Sequence, residues 1–154
     1  MQSKHGGKKR KKTGRIRKLD TIKNRRKLKR KAEALIHLYV RKMAVDSSGN
    51  VQCFTCRKTV PYEMTNAGHR HHNRLDLDLR NLKAQCIRCN RHLSGNLGEY
   101  ERTLIETHGL DWAKQLKQDA DNDTRQYTYQ FLKETIEKYT SLLFILSKSS
   151  GEIK

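Results

Sequence analysis

Two Cys-x-x-Cys pairs decide the fold of this chain: Cys53-Phe54-Thr55-Cys56 and Cys86-Ile87-Arg88-Cys89. Together they contain all four cysteines of the sequence. Each pair presents two sulfur atoms on one tight turn, and two such turns supply the tetrahedral set of thiolates that zinc prefers. Because sulfur then fills every coordination position, no position stays open for water. We therefore expect a structural zinc ion that joins distant segments, and we expect any catalysis to occur elsewhere.

Composition agrees with a metal-stabilised domain. The chain has 154 residues, of which 34% are hydrophobic and 32% are charged, so its apolar core is small for its length. No apolar run is long enough to cross a bilayer, and the basic N-terminus lacks the apolar stretch of a secretory signal. We expect a protein of a reducing cytoplasm, where paired cysteines bind metal more often than they form disulfides.

The positive charge is concentrated at one end. The formal net charge is +18, and residues 1–30 hold 15 lysines and arginines against Asp20 alone. Such an arm suits a polyanion, and the alternative is a solvated or targeting tail. We predict DNA contacts from the arm, from the helix after it and from a rim around the cysteine region: Lys8, Lys9, Arg10, Lys11, Lys12, Arg15, Arg17, Arg25, Arg26, Arg70, Arg74, Arg88 and Arg91.

Periodicity divides the chain into four parts and predicts the α+β class. Residues 1–19 read as a disordered basic arm, and residues 20–46 read as a basic amphipathic helix because apolar residues recur every three or four positions. Residues 47–109 form the zinc-bound core of short strands, in which alternating Leu75, Leu77 and Leu79 predict an extended segment. Residues 110–154 are helical.

The last helix carries apolar residues at heptad-like spacing: Leu132, Ile136, Tyr139, Leu143 and Leu146. This seam either packs into the body of the protein or forms the contact of a homodimer, and the sequence favours neither.

Three polar residues within the cysteine framework fit phosphodiester hydrolysis, which needs a base, a cation and a group that orients the base. His69 has the chemistry of the base. Asn81 follows on a segment that can lie antiparallel to that of His69, so its amide or its backbone can orient the imidazole. Asn90 directly follows Cys89, and its amide oxygen can ligate a hard cation such as Mg²⁺.

The order of these residues resembles the HNH, or ββα-metal, nucleases in their four-cysteine zinc form. The pattern is most similar to the NinG (Rap) recombination nucleases of lambdoid phages, and it covers about Cys53 to Gly109: Ala67-Gly68-His69, Arg80-Asn81, Gln85-Cys86, Cys89-Asn90, Ser94-Gly95-Asn96, Tyr100, Leu104-Ile105. The resemblance implies a zinc-stapled ββα-metal core in a metal-dependent endonuclease for branched DNA recombination intermediates such as Holliday junctions, D-loops or flaps. It makes His69 the general base, Asn81 the middle asparagine of the motif and Asn90 a ligand of a catalytic Mg²⁺ or Mn²⁺. It also implies action in the cytoplasm of a phage host.

One position departs from the broader HNH pattern. Gly68 stands where many of these enzymes have an acidic residue or a histidine before the base, and glycine cannot ligate a metal. The resemblance therefore leaves the second ligand of the catalytic metal to another residue. Asp78 and Asn96 are the first candidates, followed by His71, His72, Asp76 and Glu99.

Two other functions fit the same features. A non-catalytic zinc protein that binds nucleic acid would also carry the basic arm and the cysteines, and a homing-type HNH nuclease would cut linear duplex at a specific sequence.

The basic arm gives a prediction about salt. Deletion of residues 1–19 should flatten the dependence of DNA affinity on salt concentration, because each phosphate neutralised contributes roughly −0.9 to the logarithmic slope. Fluorescence anisotropy of labelled DNA over a range of salt concentrations measures that slope. An unchanged slope in the deletion variant would place the arm outside the DNA interface.

Overall fold

The computed structural model describes residues 21–149. The predicted arm, residues 1–19, lies outside the described residues, as do residues 150–154. The expected DNA contacts that fall on this arm are therefore not located: Lys8, Lys9, Arg10, Lys11, Lys12, Arg15 and Arg17.

The first element is a long basic helix, α1 (Ile22–Met43), as the apolar spacing predicted. Thr21 caps it, because its hydroxyl accepts a hydrogen bond from the Asn24 amide at 3.2 Å. The helix buries Ala32 and Ile36 on one face. A turn follows it, in which a carboxylate oxygen of Asp46 accepts two backbone amides.

Four short strands form two antiparallel pairs. Strand β1 (Asn50–Gln52) pairs with β2 (Thr59–Pro61). Strand β3 (Thr65–His69) pairs with β4 (Leu82–Cys86), so that Thr65 faces Cys86 and His69 faces Leu82. One-turn 3₁₀ helices, Tyr62–Met64 and Leu79–Asn81, lead into β3 and β4. The sequence therefore predicted the antiparallel placement of the His69 and Asn81 segments correctly.

Helices complete the chain after β4. A single π-helical turn (Arg88–His92) comes first, in which the Leu93 amide donates to the Arg88 carbonyl five residues back. Helices α2 (Leu97–His108), α3 (Leu110–Asp121) and α4 (Tyr129–Ser149) follow. None of the helices within residues 21–149 is both long and apolar enough to span a membrane.

Two apolar clusters flank the strands. Ile36 of α1, Leu82 of β4 and Tyr139 of α4 form the first, and the second is built around Leu75, Tyr100, Leu104 and Leu116. Two residues of the heptad-like seam, Leu132 and Tyr139, are thus buried within the chain. The homodimer stays a prediction.

The mixture of helices with small antiparallel sheets confirms the α+β class. The expectation of an extended segment over Leu75, Leu77 and Leu79 is wrong. Leu75 is buried with a φ of 50°, and the Asp78 amide donates to its carbonyl at 3.0 Å, so the chain turns there. Contacts from outside the segment hold its first residue, because the Leu75 carbonyl accepts the Asn81 side-chain amide and the Leu75 amide donates to the Asp123 carboxylate.

Candidate metal centre and active site

The four cysteine sulfur atoms converge on one point. All of them lie within 4.8 Å of one another, and the sulfurs of Cys56 and Cys86 are 3.8 Å apart. A tetrahedral ion with Zn–S bonds of about 2.3 Å places its sulfur ligands about 3.8 Å from each other. The four side chains can therefore hold one zinc ion between the β1–β2 turn and the end of β4.

Two N–H groups donate hydrogen bonds to sulfur atoms of this centre. The Cys89 amide donates to the sulfur of Cys86 at 3.4 Å, and the Asn96 amide group donates to the sulfur of Cys89 at 3.7 Å. Burial raises the pKa of the Cys53 thiol, and it raises the pKa of Cys89 to about 12 despite the hydrogen bond from Asn96. A bound cation would allow such buried thiols to ionise, so zinc binding here would release protons and would weaken at low pH.

Asn81 holds the loop that follows β3. Its side chain is fully buried, and its oxygen accepts the His71 amide at 2.8 Å. Its nitrogen donates to the carbonyls of His71 and Arg74 at 3.0 and 2.8 Å. Because both ends of one amide are used by the same loop, Asn81 fixes the backbone immediately after His69.

His69 ends β3 with its ring against that loop. Its Nε2 lies 3.4 Å from the backbone carbonyl of Asp76. A carbonyl can only accept, so in the neutral ring Nε2 carries the proton and Nδ1 has a free lone pair. Burial lowers the pKa of His69, although the Asp76 carbonyl opposes this shift. The ring is therefore neutral, and able to accept a proton, at physiological pH.

A second histidine, which the sequence reading missed, packs on His69. His37 of α1 lies with its ring 5.2 Å from that of His69, edge to face. Its Nε2 is buried and has no hydrogen-bond partner. Burial, followed by the nearby charge of His69, lowers the pKa of His37 to about 4. A histidine on the buried stripe of an amphipathic helix was the only sequence signal for this contact.

Asn90 lies beside Gly68, the residue before His69 in β3. Its amide nitrogen donates to the side-chain oxygen of Gln85 at 3.2 Å. A Cβ atom on Gly68 would come 2.9 Å from that nitrogen, so Asn90 borders the residue that precedes His69. The His72 ring lies 6.3 Å from the ring of His69, and its Nε2 would lie 3.7 Å from a Cβ atom on Gly95.

The two first candidates for the second metal ligand have other contacts. The Asp78 carboxylate accepts hydrogen bonds from the backbone amide and from the guanidinium of Arg80, and it thereby caps the turn before β4. Burial alone would raise the pKa of Asp78, but the hydrogen bonds from Arg80 outweigh burial and lower it. Asn96 donates to the sulfur of Cys89. None of these contacts involves His69, and the assignment of either residue to the catalytic metal stays a prediction.

The predicted arginines differ in their surroundings. Arg25 and Arg26 line a cavity of about 420 Å³ that Asp76 and Tyr127 also border. Arg70 pairs with Glu101 at 2.6 Å, and Arg74 donates to the Asp123 carbonyl. Arg88 and Arg91 are exposed on the π-helical turn. Their part in DNA binding stays a prediction.

Replacement of one metal ligand gives the first test of the centre. Cys86→Ser should remove bound zinc and unfold the core around β3 and β4, because structural zinc sites contribute about 10 kcal/mol or more to folding. Elemental analysis and thermal melting measure the two effects. A variant with one zinc per chain and an unchanged melting temperature would contradict this assignment.

The half-buried His37 predicts a pH dependence of stability. Its pKa is lower when folded, about 4 against an ordinary 6.5, so the unfolded chain binds more protons between these values. Its contribution is therefore complete above pH 6.5 and is lost as pH falls toward 4. His37→Phe keeps a ring without the titration, and its unfolding free energy should fall about 1 kcal/mol less than that of the wild type between pH 7 and 5, after a discount for partial exposure. Identical losses in urea titrations would refute this.

Comparison with known proteins identifies the family. A family model described as "Bacteriophage Lambda NinG protein" matches residues 1–149. The chain is 29% identical over 127 residues to Protein ninG of Salmonella phage P22, which covers 80% of this chain and 59% of that protein. It is 28% identical over 127 residues to Protein ninG of Escherichia phage 933W, over 80% of this chain and 60% of that protein.

The chain thus spans about three fifths of the length of these relatives. No solved structure matches it. Because the family model covers almost the whole sequence, including both cysteine pairs and the segment from His69 to Asn90, the chain belongs to the NinG family of bacteriophage proteins.

Proposed function

We propose that this chain is a metal-dependent DNA endonuclease of the HNH type that cuts branched recombination intermediates. One observation carries the proposal: Nε2 of His69 lies 3.4 Å from the Asp76 carbonyl, a contact that favours the tautomer in which Nδ1 can accept a proton. The order of elements also supports it, because two antiparallel strands, β3 and β4, are followed at once by the helical turn of Asn90.

His69 is the general base in this proposal. Its Nδ1 takes a proton from a water molecule, whose oxygen attacks the phosphorus atom as the bond to the 3′ oxygen breaks. The leaving oxygen takes a proton from solvent, and the products carry a 5′-phosphate and a 3′-hydroxyl. Burial keeps the pKa of His69 below its usual value, so the base is available near neutral pH.

Asn90 would hold the catalytic divalent cation, Mg²⁺ or Mn²⁺, through its amide oxygen. When bound, such an ion stabilises negative charge on the phosphate and on the leaving oxygen. Asp78, Asn96 and His72 are the candidates for its second ligand, and the His72 ring lies 6.3 Å from that of His69.

The zinc centre has a different part in this proposal. Its four sulfurs leave no position for water, so it would shape the site without taking part in hydrolysis. The basic face of α1 and the exposed Arg88 and Arg91 would bind the phosphates of the DNA arms.

Cleavage of a synthetic four-way junction with Mg²⁺ or Mn²⁺ tests the proposal. His69→Ala should lower the cleavage rate by about 100-fold or more, because a positioned base contributes at least that factor. Zinc content and junction affinity should not change. His108→Ala, at an exposed histidine that stacks on Trp112 at the end of α2, is the matched control and should cut like the wild type.

The other outcomes separate the remaining functions. Cleavage that persists in His69→Ala would refute the mechanism. Junction binding without any cleavage would favour a non-catalytic zinc protein, and strong sequence dependence on linear duplex would favour a homing-type nuclease.

A further inference from the structure

We propose that Gln85 is a positioning residue that fixes the side-chain amide of Asn90 with its oxygen toward the catalytic cation. This inference rests on the proposed function. It arises from a chain of hydrogen bonds that begins at the backbone of Gly95 and ends at Asn90.

Gly95 sets the orientation of the Gln85 amide. Gln85 is fully buried, and one end of its amide lies 2.8 Å from the Gly95 carbonyl. A carbonyl only accepts, so this end must be the NH₂ group. The same group lies 2.5 Å from the Thr55 hydroxyl, which can accept its second proton.

The orientation of the Gln85 amide in turn determines the orientation of the Asn90 amide. With its NH₂ group at Gly95, Gln85 presents its oxygen to Asn90 at 3.2 Å. The Gln85 oxygen can only accept a hydrogen bond, so the group of Asn90 that faces it must be the NH₂ donor. The Asn90 oxygen is left on the opposite side of the amide, without a hydrogen bond to Gln85, where it can ligate a cation.

Gly68 makes room for this arrangement. A Cβ at residue 68 would lie 1.8 Å from the side-chain oxygen of Gln85, a distance that no side chain can tolerate. The missing side chain of Gly68 therefore leaves the space in which the Gln85 and Asn90 amides meet.

The zinc centre anchors both ends of the chain of hydrogen bonds. Gln85 directly precedes Cys86, and Asn90 directly follows Cys89. The Gly95 amide donates to the carbonyls of Cys89 and Asn90 at 2.9 and 3.0 Å. The position of the Gly95 carbonyl therefore depends on the second cysteine pair.

Mn²⁺ binding to the zinc-loaded protein, followed by electron paramagnetic resonance, tests the inference without any need for cleavage. Gln85→Met retains bulk and removes the acceptor, so the Asn90 amide is free to rotate. Its dissociation constant for Mn²⁺ should rise about 10-fold, as is typical when the partner of a metal ligand is lost. Cleavage should recover at high Mn²⁺ concentration.

Thr55→Val is the matched control. It removes a buried hydrogen bond from the same Gln85 amide and should lower stability, but the Gly95 carbonyl still orients Gln85. Its affinity for Mn²⁺ should therefore equal that of the wild type. If Mn²⁺ affinity fell equally in Gln85→Met and Thr55→Val, the role of Gln85 would be structural only and the inference would be overturned.

Asn90→Ala separates this inference from the proposed function. If Asn90→Ala weakens Mn²⁺ binding and a folded Gln85→Met does not, the role of Gln85 alone is refuted. If Asn90→Ala has no effect, both the ligand and its positioning residue are refuted. Should Gln85→Met fail to fold, wild-type NMR decides: nuclear Overhauser contacts from Gly68 Hα to the Asn90 NH₂ protons are expected, and their absence would overturn the inference.

Discussion

The convergence of four cysteine sulfurs is the constraint on which the rest of this molecule depends. The strands are only three or five residues long, and a two-stranded sheet is marginally stable alone. A zinc ion held by Cys53, Cys56, Cys86 and Cys89 would fix the β1–β2 turn to the end of β4 and to the π-helical turn after it. The end of β4 carries Gln85, and the π-helical turn carries Asn90. Helix α1 then covers the β3–β4 pair, and α4 packs on α1 through Tyr139.

The polar residues of the candidate site have two kinds of role in the proposed mechanism. His69 and Asn90 would act on water and the cation, whereas Asn81 and Gln85 would hold those residues in place. Asn81 uses both ends of its amide on the loop after β3, and that loop supplies the Asp76 carbonyl to His69. In our proposal Gln85 orients the side chain of Asn90 in a similar way, because its oxygen accepts the Asn90 amide group. Two buried amides of β4 and the turn before it would thus orient a base on one side and a cation ligand on the other. Such fixed supports are what allow a weakly bound cation and a single imidazole to act together.

The spacing of residues close together in the sequence predicted much of the fold and part of the candidate site. The cysteine pairs, the helices and the antiparallel relation of the His69 and Asn81 segments follow from short-range patterns. The contact of His37 with His69 does not, because it joins residues far apart in sequence and depends on how α1 lies on β3. The alternation of Leu75, Leu77 and Leu79 predicted a strand wrongly, since long-range contacts to Asn81 and Asp123 hold Leu75 in a turn. In the sequence, Gly68 marked only the lack of a metal ligand before His69. The structure supplies a packing reason for this glycine, because any side chain there would overlap the side chain of Gln85.

The central claim is that one ion shapes the scaffold while a second, separate ion lies next to His69. Anomalous diffraction from crystals of the zinc-loaded protein soaked in Mn²⁺ tests it most directly, because zinc and manganese are distinguished by their absorption edges. We expect a zinc peak among the four cysteine sulfurs and a manganese peak within bonding distance of the Asn90 side-chain oxygen. Manganese that binds only at the cysteines, or nowhere near Asn90 and His69 at a concentration that saturates cleavage, would contradict the account.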